Sequence, residues 1–100
     1  MVVYNVTIKV ETSVCDEWVD WMKAVHMPSL MSTGLFTENR LSRLLEQDET
    51  DGVTFSAQYV CNSITEYNRY IDEHSEQMRQ QSFERFGGKF VAFRSIMEVV

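Results

Sequence analysis

The chain is poor in the residues that break or brace a fold by themselves. It has one proline and four glycines in 100 residues, too few for a collagenous, linker-rich or disordered chain. It has two cysteines, Cys15 and Cys61, far apart and in no Cys-x-x-Cys pair. That count argues against a secreted disulfide scaffold, and the scattered Cys and His form no zinc pattern, so both thiols read as small hydrophobes. Positive charge is also scarce: nine Lys and Arg against fifteen Asp and Glu leave a net charge of −6. With no basic cluster to offset it, this balance disfavours nucleic acid and anionic membrane surfaces as partners. No apolar run approaches the roughly 20 residues of a membrane span. The opening Met1–Val10 has no basic leader and reads as a strand rather than a signal peptide. These features point to a cytoplasmic protein.

What is present is an ordinary globular composition, 44% hydrophobic and 12% aromatic, sufficient for one domain over residues 1–100. Val3 to Val10 alternates, with Tyr4, Val6, Ile8 and Val10 on one face. Ser13 and Asp16 resemble a capping box. Val14, Trp18, Met22 and Val25, with Trp21 beside them, then repeat at helical spacing. Pro28 is expected to end or kink that helix, with room for a last turn to restart on it, and Gly34 to cap it. A second strand is expected from Leu35 to about Gln47, then a turn whose strongest hairpin signal is Asp51-Gly52. Val53 to Cys61 alternates again. Ser63-Ile-Thr-Glu66 is a capping box opening a second helix with the stripe Ile64, Tyr67, Ile71, His74 and Met78. Gly87-Gly88 breaks the chain before a last strand, Lys89 to Val100.

The order β-α-β-β-α-β is that of the ferredoxin-like sandwich. This is an α+β fold with a four-stranded antiparallel sheet, two helices on one face, and the first and third strands central. The other face of the sheet would mix Asn5, Thr7, Ser56 and Gln58 with Val3, Val60 and part of the Phe90–Phe93 run. A half-apolar face of that width suits a second copy, so a homodimer through the sheet is expected.

Six segments, Tyr4–Thr7, Trp18–Met22, His26–Pro28, Thr33–Phe36, Phe55–Tyr59 and Phe86–Arg94, together resemble domain-of-unknown-function family 4286, a group of small bacterial proteins. More distantly the layout is similar to the dimeric α+β barrel superfamily, in which two ferredoxin-like sheets join. That superfamily includes cofactor-free oxygenases, haem-degrading enzymes, stress-induced barrels and plain binding proteins. The resemblance implies the dimer and leaves the activity open.

The candidate ligand-binding residues are Tyr4, Trp18, Trp21, His26, Tyr59 and Arg94. His26 is either a base or hydrogen-bond donor at a pocket walled by Tyr4, Trp18 and Trp21, or a helix-end residue bonding free carbonyls. An unperturbed imidazole, with a pKa of about 6.5, would suit proton transfer. Arg94 sits among Phe90, Val91, Phe93 and Ile96. It must pair with an acid, including one across the dimer, or clamp an anionic ligand. His74 lies on the second helix's apolar stripe. By analogy with haem-degrading barrels it could act with Asn5, although no Trp lies in the second half of the chain. Gly87-Gly-Lys89 lacks the rest of a phosphate loop, and the Glu46–Asp51 acids lack calcium-loop spacing. No metal or cofactor is expected. The reading is a non-catalytic module binding a small apolar or weakly anionic molecule, or a partner. The alternative is a cofactor-free oxygenase-like or haem-degrading enzyme with His26 as its candidate catalytic residue.

Overall fold

The computed structural model describes residues 1–100. Its strands are β1 (Val2–Val10), β2 (Glu38–Arg43), β3 (Val53–Cys61) and β4 (Phe90–Glu98). They form one antiparallel sheet in the order β2-β3-β1-β4. The two strands with the cleanest alternation, β1 and β3, are the central pair, in register at Tyr4 with Tyr59, Val6 with Ala57 and Ile8 with Phe55. The period-2 side-chain direction places these six residues on the face covered by helices. This is the ferredoxin-like α+β fold.

The first helical segment departs from expectation. No Ser13–Asp16 box forms. A 3₁₀ turn, Thr12–Val14, leads into α1 (Cys15–Trp21), which continues through a π-helical turn, Met22–His26, into α2 (Met27–Met31). Pro28 supplies the reason. It has no N–H to give the carbonyl one turn back and its ring crowds that carbonyl, so the helix widens instead of stopping. The Met27 N–H bonds the Met22 carbonyl across the wide turn, and Ser29 Oγ donates to the Val25 carbonyl at 2.7 Å. The extra residue rotates the stripe. Trp18, Met22, Met27 and Leu30 are buried, and Val25, expected in the core, is exposed.

After Met31 the chain turns through Gly34, whose N–H bonds the Met31 carbonyl. Leu35 and Phe36 are buried before the strand begins. β2 is shorter than expected because Leu35–Thr37 precede it and the chain leaves the ladder after Leu44, whose N–H still bonds the Thr54 carbonyl. Glu46 then takes a left-handed φ of 58°, Asp48 Oδ1 accepts from the Thr50 N–H at 3.0 Å, and Arg43 pairs with Glu49. Gly52 is not the left-handed hairpin residue that Asp51-Gly52 suggested. Its role is close approach, since a Cβ there would lie 2.6 Å from the Val10 carbonyl oxygen. Gly52→Ala is therefore expected to cost about 1–3 kcal/mol by overpacking two backbones that cannot separate. A lowered urea midpoint at unchanged m-value checks this.

The Ser63 cap forms: its Oγ accepts from the Thr65 N–H at 3.3 Å and meets the Glu66 carboxylate. The helix it opens is not continuous. α3 (Ile64–Glu73) ends at His74, with φ −132°, and α4 (Ser75–Phe86) follows. The break turns His74 off the stripe, where it stacks on Tyr70 with ring centres 6.3 Å apart. Gly87, at φ 59° and ψ −132°, closes α4, in a region glycine alone enters readily. One cluster of 18 buried hydrophobic residues joins the helices to the sheet. No helix is long and apolar enough to cross a membrane.

Candidate functional site

The helices do not fill the space above the sheet. A cavity of about 340 Å³ lies between α1, α2, α3 and α4 and the helix-facing side of β1, β3 and β4, at the lower end of the range for ligand pockets. Its origin is a deficit of side-chain volume. Ala57 stands opposite Val6 at the centre of the floor, between the larger pairs Tyr4–Tyr59 and Ile8–Phe55, and Ala92 lies beside Ile8 on β4. Above them α4 presents Met78 and Ser82 rather than a row of large apolar groups, and few of its residues are buried.

Of the sixteen lining residues thirteen are hydrophobic. Trp18 packs on Phe55 at 5.0 Å on one side. Tyr4 packs on Tyr59 at 5.8 Å and Tyr70 at 5.5 Å on the other. Burial pushes the hydroxyl pKa values of Tyr59 and Tyr70 far up, and their neighbouring tyrosines add to the shift. Burial also raises Tyr4, against the pull of the Arg94 guanidinium beside it. All three hydroxyls are thus neutral donors. The exposed residues of the lining are Arg79 and Phe83 on α4 and Ala92 on β4, which puts the opening where these two elements meet.

His26 closes the π turn and lines the cavity. Its ring stacks on Trp21, centres 4.9 Å apart. Nδ1 is the one buried side-chain nitrogen or oxygen with no hydrogen-bond partner. An orphaned N–H is costlier than an orphaned lone pair, so the proton belongs on Nε2. Burial lowers the imidazole pKa from 6.5 to about 4, so the ring is neutral at pH 7. The helix runs on to Met31, so His26 is not a helix-end residue bonding carbonyls; its ring lies in the cavity wall, where burial disfavours the protonated form and leaves the neutral ring as a hydrogen-bonding group.

The structure brings Tyr4, Trp18, His26 and Tyr59 together in the cavity wall. Trp21 stands behind His26, packed edge-on against Phe86 at 5.4 Å, and lines a separate groove with Val25, Ser29, Gln81, Glu84 and Arg85. Arg94 is exposed rather than buried among apolar neighbours. Asn5 points the other way, into the outer face, where its Nδ2 donates to Thr7 Oγ1 at 3.1 Å and its Oδ1 accepts from Ser56 Oγ at 2.5 Å. Asn5 and His74 are therefore on opposite sides of the sheet, and the haem-type arrangement does not form. Ala57, Ala92, Arg79 and Ser82 were not singled out from sequence. The signal available was the small Ala57 between Phe55 and Tyr59, and Ala92 between Phe90 and Arg94.

Solved structures of the same fold include a dimeric ferredoxin-like protein from an uncultured marine organism, at TM-score 0.78 and 10% identity over 99% of this chain and 94% of that one. An ethyl tert-butyl ether D (EthD) family protein from Bacillus halodurans matches at TM-score 0.67 and 10% identity over 100% of both chains. A hydroxynitrile lyase from Passiflora edulis matches at TM-score 0.62 and 15% identity, over 99% of this chain and 95% of that one. At these identities the likeness is one of fold. No curated protein matches the sequence. The family described as "Domain of unknown function (DUF4286)" matches residues 1–100, and the chain belongs to that family.

Proposed function

We propose that the protein is a cytoplasmic homodimer that binds a small, largely apolar molecule in the cavity between its helices and sheet. The observation that carries this reading is the cavity itself. A pure interaction module would have Trp18 and Met22 filling that space, whereas here they form its wall around about 340 Å³. Binding is favoured over catalysis because no carboxylate lines the cavity and the one imidazole there, with a pKa near 4, is a weak base at neutral pH. The two free thiols, Cys15 and Cys61, support a reducing compartment.

Support for the dimer comes from the outer face of the sheet. Val91 and Phe93 on β4 are 68% and 67% exposed and Met97 is 42% exposed. They flank a polar centre, Asn5, Thr7, Ser56 and Ser95, whose groups already bond one another. Such a centre is partly satisfied within the protomer, which lowers the cost of covering it, while the apolar margin drives association.

Filling the cavity tests the binding reading. Ala57→Leu places a branched side chain at the centre of the floor, and Ala92→Leu narrows the mouth from the exposed strand. Each is expected to weaken binding of naphthalenemethanol, a neutral apolar probe followed by isothermal titration calorimetry, by about tenfold or more, with stability held or raised. Unchanged binding in both variants, with both folded, would place the probe elsewhere and contradict the reading.

A further inference from the structure

We infer that the cavity is built for an organic anion: an apolar body of about two fused rings bearing one carboxylate, held at the mouth between Arg79 and Arg94. This rests on the binding reading above and adds the charge of the ligand to it.

Arg79 is part of the cavity lining, and no Asp or Glu is. Arg94 follows Ala92 by two residues on β4 and so shares its face. The protein's three ion pairs engage Arg43, Arg69 and Arg85. Arg79 and Arg94 are left without a carboxylate. They lie close to one another's field, since both guanidiniums act on the hydroxyls of Tyr4 and Tyr70. In a chain of net charge −6, two unpaired cations beside an apolar opening reverse the local sign.

The interior fits the same ligand class. Its polar groups, the tyrosine hydroxyls, Ser82 and a neutral His26, include donors, and no anionic group is present to hold a cation. A neutral ligand would leave both guanidiniums as they are. A carboxylate would gain charge-assisted hydrogen bonds from planar forks in a partly desolvated rim, where screening is weaker than in bulk solvent.

The test titrates the full chain with three probes of one shape: naphthoate, neutral naphthalenemethanol and cationic naphthylmethylamine. Naphthoate is expected to bind about tenfold tighter than the alcohol, with the amine weakest. That preference should shrink as salt rises. Arg79→Gln and Arg94→Gln, both at exposed positions, are each expected to lower the ratio of naphthoate to alcohol affinity by most of that tenfold. Equal affinity for naphthoate and the alcohol in the parent protein would overturn the anion proposal and leave the cavity reading standing. A preference that survives in the double variant would also overturn it, because anion recognition would then lie elsewhere. Failure of all three probes to bind would overturn both readings.

Discussion

Phe93→Asp is expected to break the proposed dimer, leaving a monomer at micromolar concentration. The side chain lies in the middle of the apolar margin on the outer face, 67% exposed in the protomer, beside Thr7 across the ladder. Removing it cannot open the protomer's own core. In the dimer it would place a carboxylate from each copy in a desolvated interface, with Lys9 as the basic neighbour on the adjacent strand, in chains that already carry net charge −6 each. An aromatic anchor lost and a charge buried together cost about 3 kcal/mol or more, at least a hundredfold in the dissociation constant. Light scattering or sedimentation should report half the parent mass with an unchanged circular-dichroism spectrum. A mass that did not move would place the interface elsewhere.

The second large effect concerns His26 and acid. The folded ring titrates near 4, whereas in the unfolded chain it titrates near 6.5. Between those values the unfolded state binds the extra proton, so acid draws molecules out of the fold. The contribution of His26 is fully present above pH 6.5, declines as pH falls toward 4, and is constant below that. The difference of about 2.5 pKa units corresponds to a full loss of roughly 3 kcal/mol once both states are protonated. His26→Phe keeps an aromatic ring against Trp21, removes the orphaned Nδ1 and cannot titrate. It is expected to match or exceed the parent's stability at pH 7 and to lose less of it by pH 4. Urea midpoints of both proteins across this range check it, and parallel curves would contradict the buried neutral ring.

The strands were legible because their signal is local. Alternation in Val3–Val10 and Val53–Cys61 states which side chains share a face, and two such strands beside two capped helical stretches leave one common arrangement. The π turn was not legible in the same way. Proline forbids an ordinary helical hydrogen bond at Pro28, but whether the chain stops, kinks or widens depends on what Met27 and Leu30 gain by staying in the core. That choice moved Val25 outward and His26 inward. Arg94 was misread for a geometric reason. Its neighbours Val91 and Phe93 face the far side of the sheet, so they do not surround it. The cavity was least visible of all, because it is a shortage of volume summed over Val6, Ala57, Ala92 and the thinly buried α4. Tyr4, Trp18, His26 and Tyr59 could be named as a set from sequence. The space between them belongs to no single segment.

Whether that space receives a ligand decides the function. Backbone and indole chemical shifts of the isotope-labelled full chain, followed as naphthoate is added, address it most directly. A ligand in the cavity gives shifts concentrated at Val6, Trp18, His26, Ala57, Tyr59 and Ala92, with Arg79 and Arg94 moving at the rim. Shifts confined to Val3, Val60, Val91 and Phe93 on the outer face, or none at saturating probe, would contradict it.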